Sequence, residues 1–267
     1  MSLRGLVDDL DRYPPFVRVD ELASDATAQG VDVHADLGMH AVTVSRIKRS
    51  TTNPMLVLTA TGSGAEDMAA AIGDFAPDVN VATFPSWETL PHERLSPSFD
   101  TVGRRTHLLR RIAHADPHDP LLLPVDVVVA SVRAVVQPIS SSVIEAAPVR
   151  VRAGDRVDLT ACVEALVGLG YERVDLVERR GQVAVRGGIV DVFPPSEEHA
   201  VRIEFWGDDV EEIRHFSVTD QRSLDLLEHG LLAPAVRELL LTDGVRAKAR
   251  ELAIGAPGIA EICQKIA

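Results

Sequence analysis

The sequence predicts an α/β layer followed by an antiparallel α+β domain, and three observations point to it. Residues 1–140 alternate short aliphatic runs with helix-like segments; 141–215 carry one amphipathic helix and then short strands broken by turn residues; 217–267 return to helical spacing. A helix repeats every 3.6 residues and a strand every two, so a change of pattern marks a change of architecture.

In the first stretch, 55–60 (MLVLTA), 79–84 (VNVATF) and 125–131 (VDVVVAS) read as buried strands, near-continuously apolar as parallel strands are. Residues 66–75 are a helix candidate, with Glu66 and Asp67 at its positive end. Residues 104–114 are another, in which Leu108, Leu109 and Ile112 share a face. Strand, helix, strand, helix, strand implies a parallel sheet with right-handed crossovers.

The second stretch opens with a helix at 159–169 that aligns Leu159, Cys162, Val163, Leu166 and Val167 and stops at Gly168 and Gly170. Strands are expected at 171–177, 182–186, 188–193, 201–206 and 211–216. The breaks at 180–181 (RG), 187–188 (GG), 194–195 (PP) and 207–208 (GD) suit hairpins and bends, which makes a meander. The pattern switches near Pro148, and the chain divides into 1–142, 143–215 and a helical 216–267, where 243–254 is the clearest segment. Residues 145–215 hold enough helix and strand to be expected to fold alone.

Composition narrows the function classes. Aromatics are only 4%, so the core must be aliphatic. A net charge of −13 argues against the whole chain being a nucleic-acid clamp, because phosphate neutralisation needs Lys and Arg. It favours a protein partner with positive patches. Cys162 and Cys263 form neither a disulfide framework nor a metal-ligand spacing and read as buried thiols of a reducing cytoplasm. No metal site is expected, and no Ser/His/Asp or Cys/His nucleophile pattern is present.

After the first strand, a glycine-rich turn opens a helix where a Walker A loop, GxxxxGK[ST], would stand. Such a loop wraps phosphates with backbone N–H groups, neutralises them with Lys and holds magnesium with Ser/Thr. Here Thr59 takes the first glycine position, followed by Thr61, Gly62, Ser63 and Gly64, and then Ala65 and Glu66 replace Lys and Ser/Thr. The readings are a weak nucleotide site, an adenine-only pocket or a plain strand-to-helix turn, of which the turn is preferred because such turns are common without ligands.

Two surfaces carry further candidates. Arg202, Glu204 and Trp206 project to one face of a strand, with Val201, Ile203 and Phe205 on the other, and Arg186 precedes a Gly–Gly turn. Trp and Arg are favoured in protein hot spots. The plainer reading is an Arg202–Glu204 ion pair on a solvated sheet, with Trp206 covering its edge. Arg104, Arg105, Arg110 and Arg111 form a basic cluster that could contact phosphates, or a solvated face pairing with the protein's own carboxylates.

The segments 84–93 (FPSWETLPHE), 100–105 (DTVGRR), 170–180 (GYERVDLVERR), 185–194 (VRGGIVDVFP), 201–209 (VRIEFWGDD) and 216–222 (FSVTDQR) resemble those of the bacterial transcription-repair coupling factors over about residues 55–225. The resemblance implies a UvrB-like module. Its first domain would be RecA-like, of the P-loop NTPase kind with a degenerate loop, split around an inserted domain that binds UvrA. Arg186, Arg202 and Trp206 then become the UvrA-binding residues. Full-length members bind stalled RNA polymerase, move on DNA with ATP and magnesium, and recruit UvrA; the module itself is expected to be non-catalytic and to need no cofactor. Its other expected contacts are with further domains of its own chain. Residues 84–100 are too short for the long aromatic hairpin that UvrB threads between DNA strands, so damage verification is not implied. The alternatives are a working RecA-like ATPase or helicase half, and a DNA-binding module built on the 104–111 helix.

Overall fold

The structure, a computed structural model, describes residues 3–25, 27, 30–90, 93 and 95–267. Pro91 and His92 of the 84–93 segment lie outside the described residues. The chain divides into two compact units, residues 1–90 with 110–138 and residues 91–109 with 139–267.

The first unit runs α1 (Arg4–Asp9), α2 (Pro14–Ser24), α3 (His40–Arg49), β1 (Met55–Thr59), α4 (Gly62–Phe75) and β2 (Val81–Phe84). After α5 (Phe99–Ala113), which the division between units cuts, come β3 (Val127–Ser131) and α6 (Val132–Val135). The three strands form a parallel sheet in the order β1-β3-β2, with Met55 to Thr59 aligned on Val127 to Ser131. Ala41 of α3 and Ala65 and Ile72 of α4 pack on Val127 and Val129, joined by Met55, Val57 and Val81. These helices cover one face. On the other, Leu56 and Leu58 are 59% and 51% exposed, so β1 alternates rather than being buried on both sides. An apolar run alone could not separate the two cases, because it carries no period.

Helix α4 starts four residues earlier than its apolar pattern. The hydroxyl of Thr61 accepts from the Gly64 N–H at 3.0 Å, which caps the first turn. Glu66 and Asp67 therefore sit in the second turn, where the helix dipole no longer favours them. In α5, Leu108 is buried but Ile112 is 55% exposed, so the expected three-residue face does not form.

The second unit contains α7 (Ser141–Glu145), β4 (Val149–Val151), α8 (Leu159–Gly168), β5 (Glu172–Arg173), β6 (Gln182–Arg186), β7 (Ile189–Val192), β8 (Ala200–Trp206), β9 (Asp209–Phe216), β10 (Ser223–Leu226), β11 (Leu231–Ala233), α9 (Asp243–Gly255) and α10 (Ala260–Ile266). A six-stranded sheet has the order β10-β9-β8-β7-β6-β5, and β4 pairs with β11 separately. The meander thus continues past Phe216 through β10. The expected strand at 171–177 is reduced to Glu172 and Arg173, which pair in parallel with Gln182 and Val183.

One sheet face holds Val183, Val190, Val192, Val201, Ile203, Phe205 and Ile213 against Cys162, Val163 and Leu166 of α8. Burying each such aliphatic side chain contributes about 1.5–3 kcal/mol. Val167 is 45% exposed and falls outside the buried stripe expected of it. Helix α8 ends in a Schellman motif: Tyr171 N–H donates to Leu166 O at 3.1 Å and Gly170 N–H to Val167 O at 2.9 Å. Gly170 has φ 93, and a Cβ there would meet Arg237 Cγ at 2.6 Å. Only glycine satisfies both demands.

Candidate functional site

The opposite face of the same sheet carries the candidate docking residues, and strand register explains why they meet. The two-residue turn at Gly187 and Gly188 sets Arg186 across from Ile189 and Ala184 across from Asp191. The β7–β8 pairing then sets Asp191 across from Arg202 and Ile189 across from Glu204. Side chains at Arg186, Asp191, Arg202, Glu204 and Trp206 share one face by the two-residue period. The β8–β9 turn at Gly207 (φ 65) and Asp208 leaves Trp206 at the strand end, 76% exposed.

Asp191 organises this face. Its side chain is 2% exposed. Arg202 Nε donates to Oδ1 at 2.7 Å and Nη2 to Oδ2 at 2.8 Å, a bidentate fork. Arg186 Nη2 donates to Oδ2 at 2.7 Å. The guanidinium of Arg202 also lies 4.6 Å above the Phe216 ring. Its hydrogen bonds to Asp191 hold Arg202 protonated above its ordinary range, although burial pulls the other way.

The predicted residues therefore differ in role. Arg186 and Arg202 are brought together, but through a carboxylate that the sequence reading missed. The expected Arg202–Glu204 pair is replaced: Arg202 is taken by Asp191, and Glu204 faces Arg214 at 3.9 Å, while Arg214 also pairs with Glu212. The Arg202 side chain is only 13% exposed, against 48% for Arg186. Trp206 stands out from the sheet rather than covering it. The signal for Asp191 was a lone carboxylate in an otherwise apolar strand, IVDV, one hairpin away from Arg186.

The glycine-rich turn lies in the first unit, at the C-terminal end of the parallel sheet, where α/β folds place ligands. Thr59 Oγ1 donates to Thr61 O at 2.8 Å, and the Thr61 hydroxyl takes the Gly64 N–H. Ala65 is buried and Glu66 exposed. A cleft of about 410 Å³ is lined by Gly62, Ser63, Glu66, Asp67, Phe84 and Ser131, among others. The central strand β3 ends in Ser131, whose hydroxyl caps α6 through Ala134 N–H at 3.3 Å.

The basic cluster does not form one solvated face. Arg105 is fully buried and paired with Glu238, with Thr106 beside it donating to Ala235 O at 3.0 Å. Arg111 Nε donates to Leu123 O at 2.9 Å, and burial lowers its pKa. Arg104 is exposed. Among the described residues, no group of three or more His, Cys, Asp and Glu could hold a metal ion, and no helix is long and apolar enough to cross a membrane.

Comparison with known proteins gives this geometry its family. The UvrB interaction domain matches residues 149–237, which contain β4 to β11 and all five face residues. A transcription-repair-coupling factor of Mycobacterium tuberculosis is 52% identical over 205 residues, 76% of this chain and 16% of that protein. One from Myxococcus xanthus is 36% identical over 174 residues, 65% of this chain and 14% of that protein. UvrABC system protein B of Lactococcus lactis subsp. cremoris is 30% identical over 199 residues, 72% of this chain and 29% of that protein. The chain thus spans less than a third of the length of each of these relatives. Over the shared stretch it belongs with the transcription-repair-coupling factors, and its residues 149–237 are a UvrB interaction domain.

Proposed function

We propose that this chain is an adaptor module that docks UvrA, linking a stalled RNA polymerase to nucleotide-excision repair. The face carrying Arg186, Arg202 and Trp206 is the docking surface. One observation carries the reading: within the UvrB interaction domain, a largely exposed Trp stands beside two arginines fastened to one buried carboxylate. The ring offers apolar area to a partner, and Arg186 offers charge-assisted donors that fix register. Arg202, mostly covered, acts as the floor of the site.

The first unit fits the same reading as a RecA-like domain that keeps the loop and has lost its chemistry. Ala65 supplies no cation, Glu66 places a carboxylate where phosphate charge would build, and no acid ends the β3 strand. These residues do not fit ATP with magnesium, and no step of docking passes through them. ATP-driven movement on DNA and contact with RNA polymerase belong, in this reading, to other parts of a full-length member.

Calorimetric titration with purified UvrA tests the reading. Trp206→Ala and Arg186→Ala are each expected to weaken binding by roughly 30-fold or more, as hot-spot truncations do. Arg110→Ala should leave affinity unchanged. If both face variants bind like wild type with normal melting curves, the site is on another surface.

A further inference from the structure

We propose that Asp191 is a positioning residue for docking: it holds the two guanidinium groups in their partner-ready arrangement, and it leaves the Arg186–Asp191–Arg202 trio one positive charge that a single partner carboxylate opposite Arg186 would neutralise. The inference rests on the docking reading above and goes further, since it assigns a role to a residue that touches no partner and states what the partner must carry.

The charges and donors set the argument. One buried carboxylate faces two guanidinium groups, so the trio carries a net charge of +1. Arg202 directs both Nε and Nη2 at Asp191, with its plane against Phe216, so its rotamer is fixed from two sides. Arg186 gives only Nη2 to Asp191. Its remaining donors have no protein partner among the described residues, and the side chain is half exposed. Arg186 is therefore held at one corner and open at the rest, the arrangement a fork needs to receive a carboxylate. A free arginine would lose much rotamer freedom on docking; one already tethered loses less. Asp191 cannot itself meet a partner, because it is 98% covered by its own unit. A buried carboxylate without these arginines would be strongly disfavoured, so neither side of the trio stands alone.

The test uses the whole chain, with Asp191→Asn as the variant. Asn keeps the volume and one acceptor, but its amide turns a donor toward a guanidinium. The first readout does not involve UvrA. In proton-exchange NMR, the Arg202 Nε–H is expected to exchange slowly in wild type and at least about tenfold faster in Asp191→Asn, as a buried charge-assisted bond is lost. Equal exchange would overturn the holding role. The second readout is a double-mutant cycle on UvrA affinity. Asp191→Asn should weaken binding about tenfold in the wild-type background and less than about threefold in Arg186→Ala, because the two act as a unit. A purely structural Asp191 would lower the melting temperature yet weaken binding equally in both backgrounds, and that overturns the inference while docking stands. Wild-type protein that binds no UvrA sinks the docking reading itself, and the inference with it.

Discussion

Tyr171 shows how a single hydroxyl makes the fold of the second unit sensitive to pH. Its ring is buried and its phenol donates to Pro234 O at 3.1 Å. Burial first, and the negative charge of Glu197 second, push its pKa well above the usual 10.0. The folded state therefore keeps this proton longer than the unfolded chain does. That contribution to stability is complete below about pH 10 and is lost as pH rises beyond it. Thermal melts across roughly pH 9 to 11 should show a decline that Tyr171→Phe flattens, while the variant loses about 1 kcal/mol at neutral pH with its hydrogen bond. An equally steep decline in Tyr171→Phe would assign the effect to other groups. The same scale shows what one sequence discloses. The face shared by Arg202, Glu204 and Trp206 follows from the two-residue period of a strand, and it was legible. Asp191 as partner of both arginines depends on the register between β6, β7 and β8, which no single strand encodes. Burial of Arg105 was further out of reach, because Glu238 lies 133 residues away in sequence.

Secondary-structure elements were legible where local chemistry sets their ends and illegible where packing does. Gly170 closing α8, Gly187 and Gly207 turning the hairpins, and the strands they join all stand close to where the turn residues predict. The start of α4 was misplaced because a threonine cap, not the apolar pattern, decides it. That cap has a functional consequence. A helix N-terminus attracts phosphate through open N–H groups and a positive dipole end; here the Thr61 hydroxyl takes one of those donors, and Glu66 stands on the following turn. Magnesium ATP titrated into the chain is therefore expected to give no micromolar binding isotherm, and restoring Lys at 65 and Thr at 66 need not rescue hydrolysis while β3 ends in Ser131. A magnesium-dependent isotherm in that range would restore the nucleotide-site reading of the loop.

At the scale of the whole molecule, the question is which residues the second unit needs in order to fold. The sequence pattern predicts 145–215, since it counts one helix and several strands as enough to close a core. The structure places the C-terminal limit later. Leu231, Ala233, Ala235, Val236 and Leu240 belong to the same buried cluster as α8 and the meander. Strand β11 pairs residue by residue with β4, from Leu231 on Val151 to Ala233 on Val149, and Val236 N–H donates to Leu169 O at 3.0 Å. Tyr171 also loses its acceptor if Pro234 is removed. Burial of Leu231, Val236 and Leu240 contributes about 1.5–3 kcal/mol each, together comparable with the ~5–15 kcal/mol net stability of a domain. A fragment ending at 215 would expose these contacts and leave β4 without its partner strand. Residues 145–215 expressed alone are thus expected to melt broadly, with poorly dispersed amide signals, whereas in the whole chain, which keeps β11 and the 91–109 stretch, the second unit should unfold in one sharp transition. A sharp, cooperative melt of the shorter piece, at the same temperature as the second unit of the whole chain, would show that β11 and the residues after it decorate that unit without completing it.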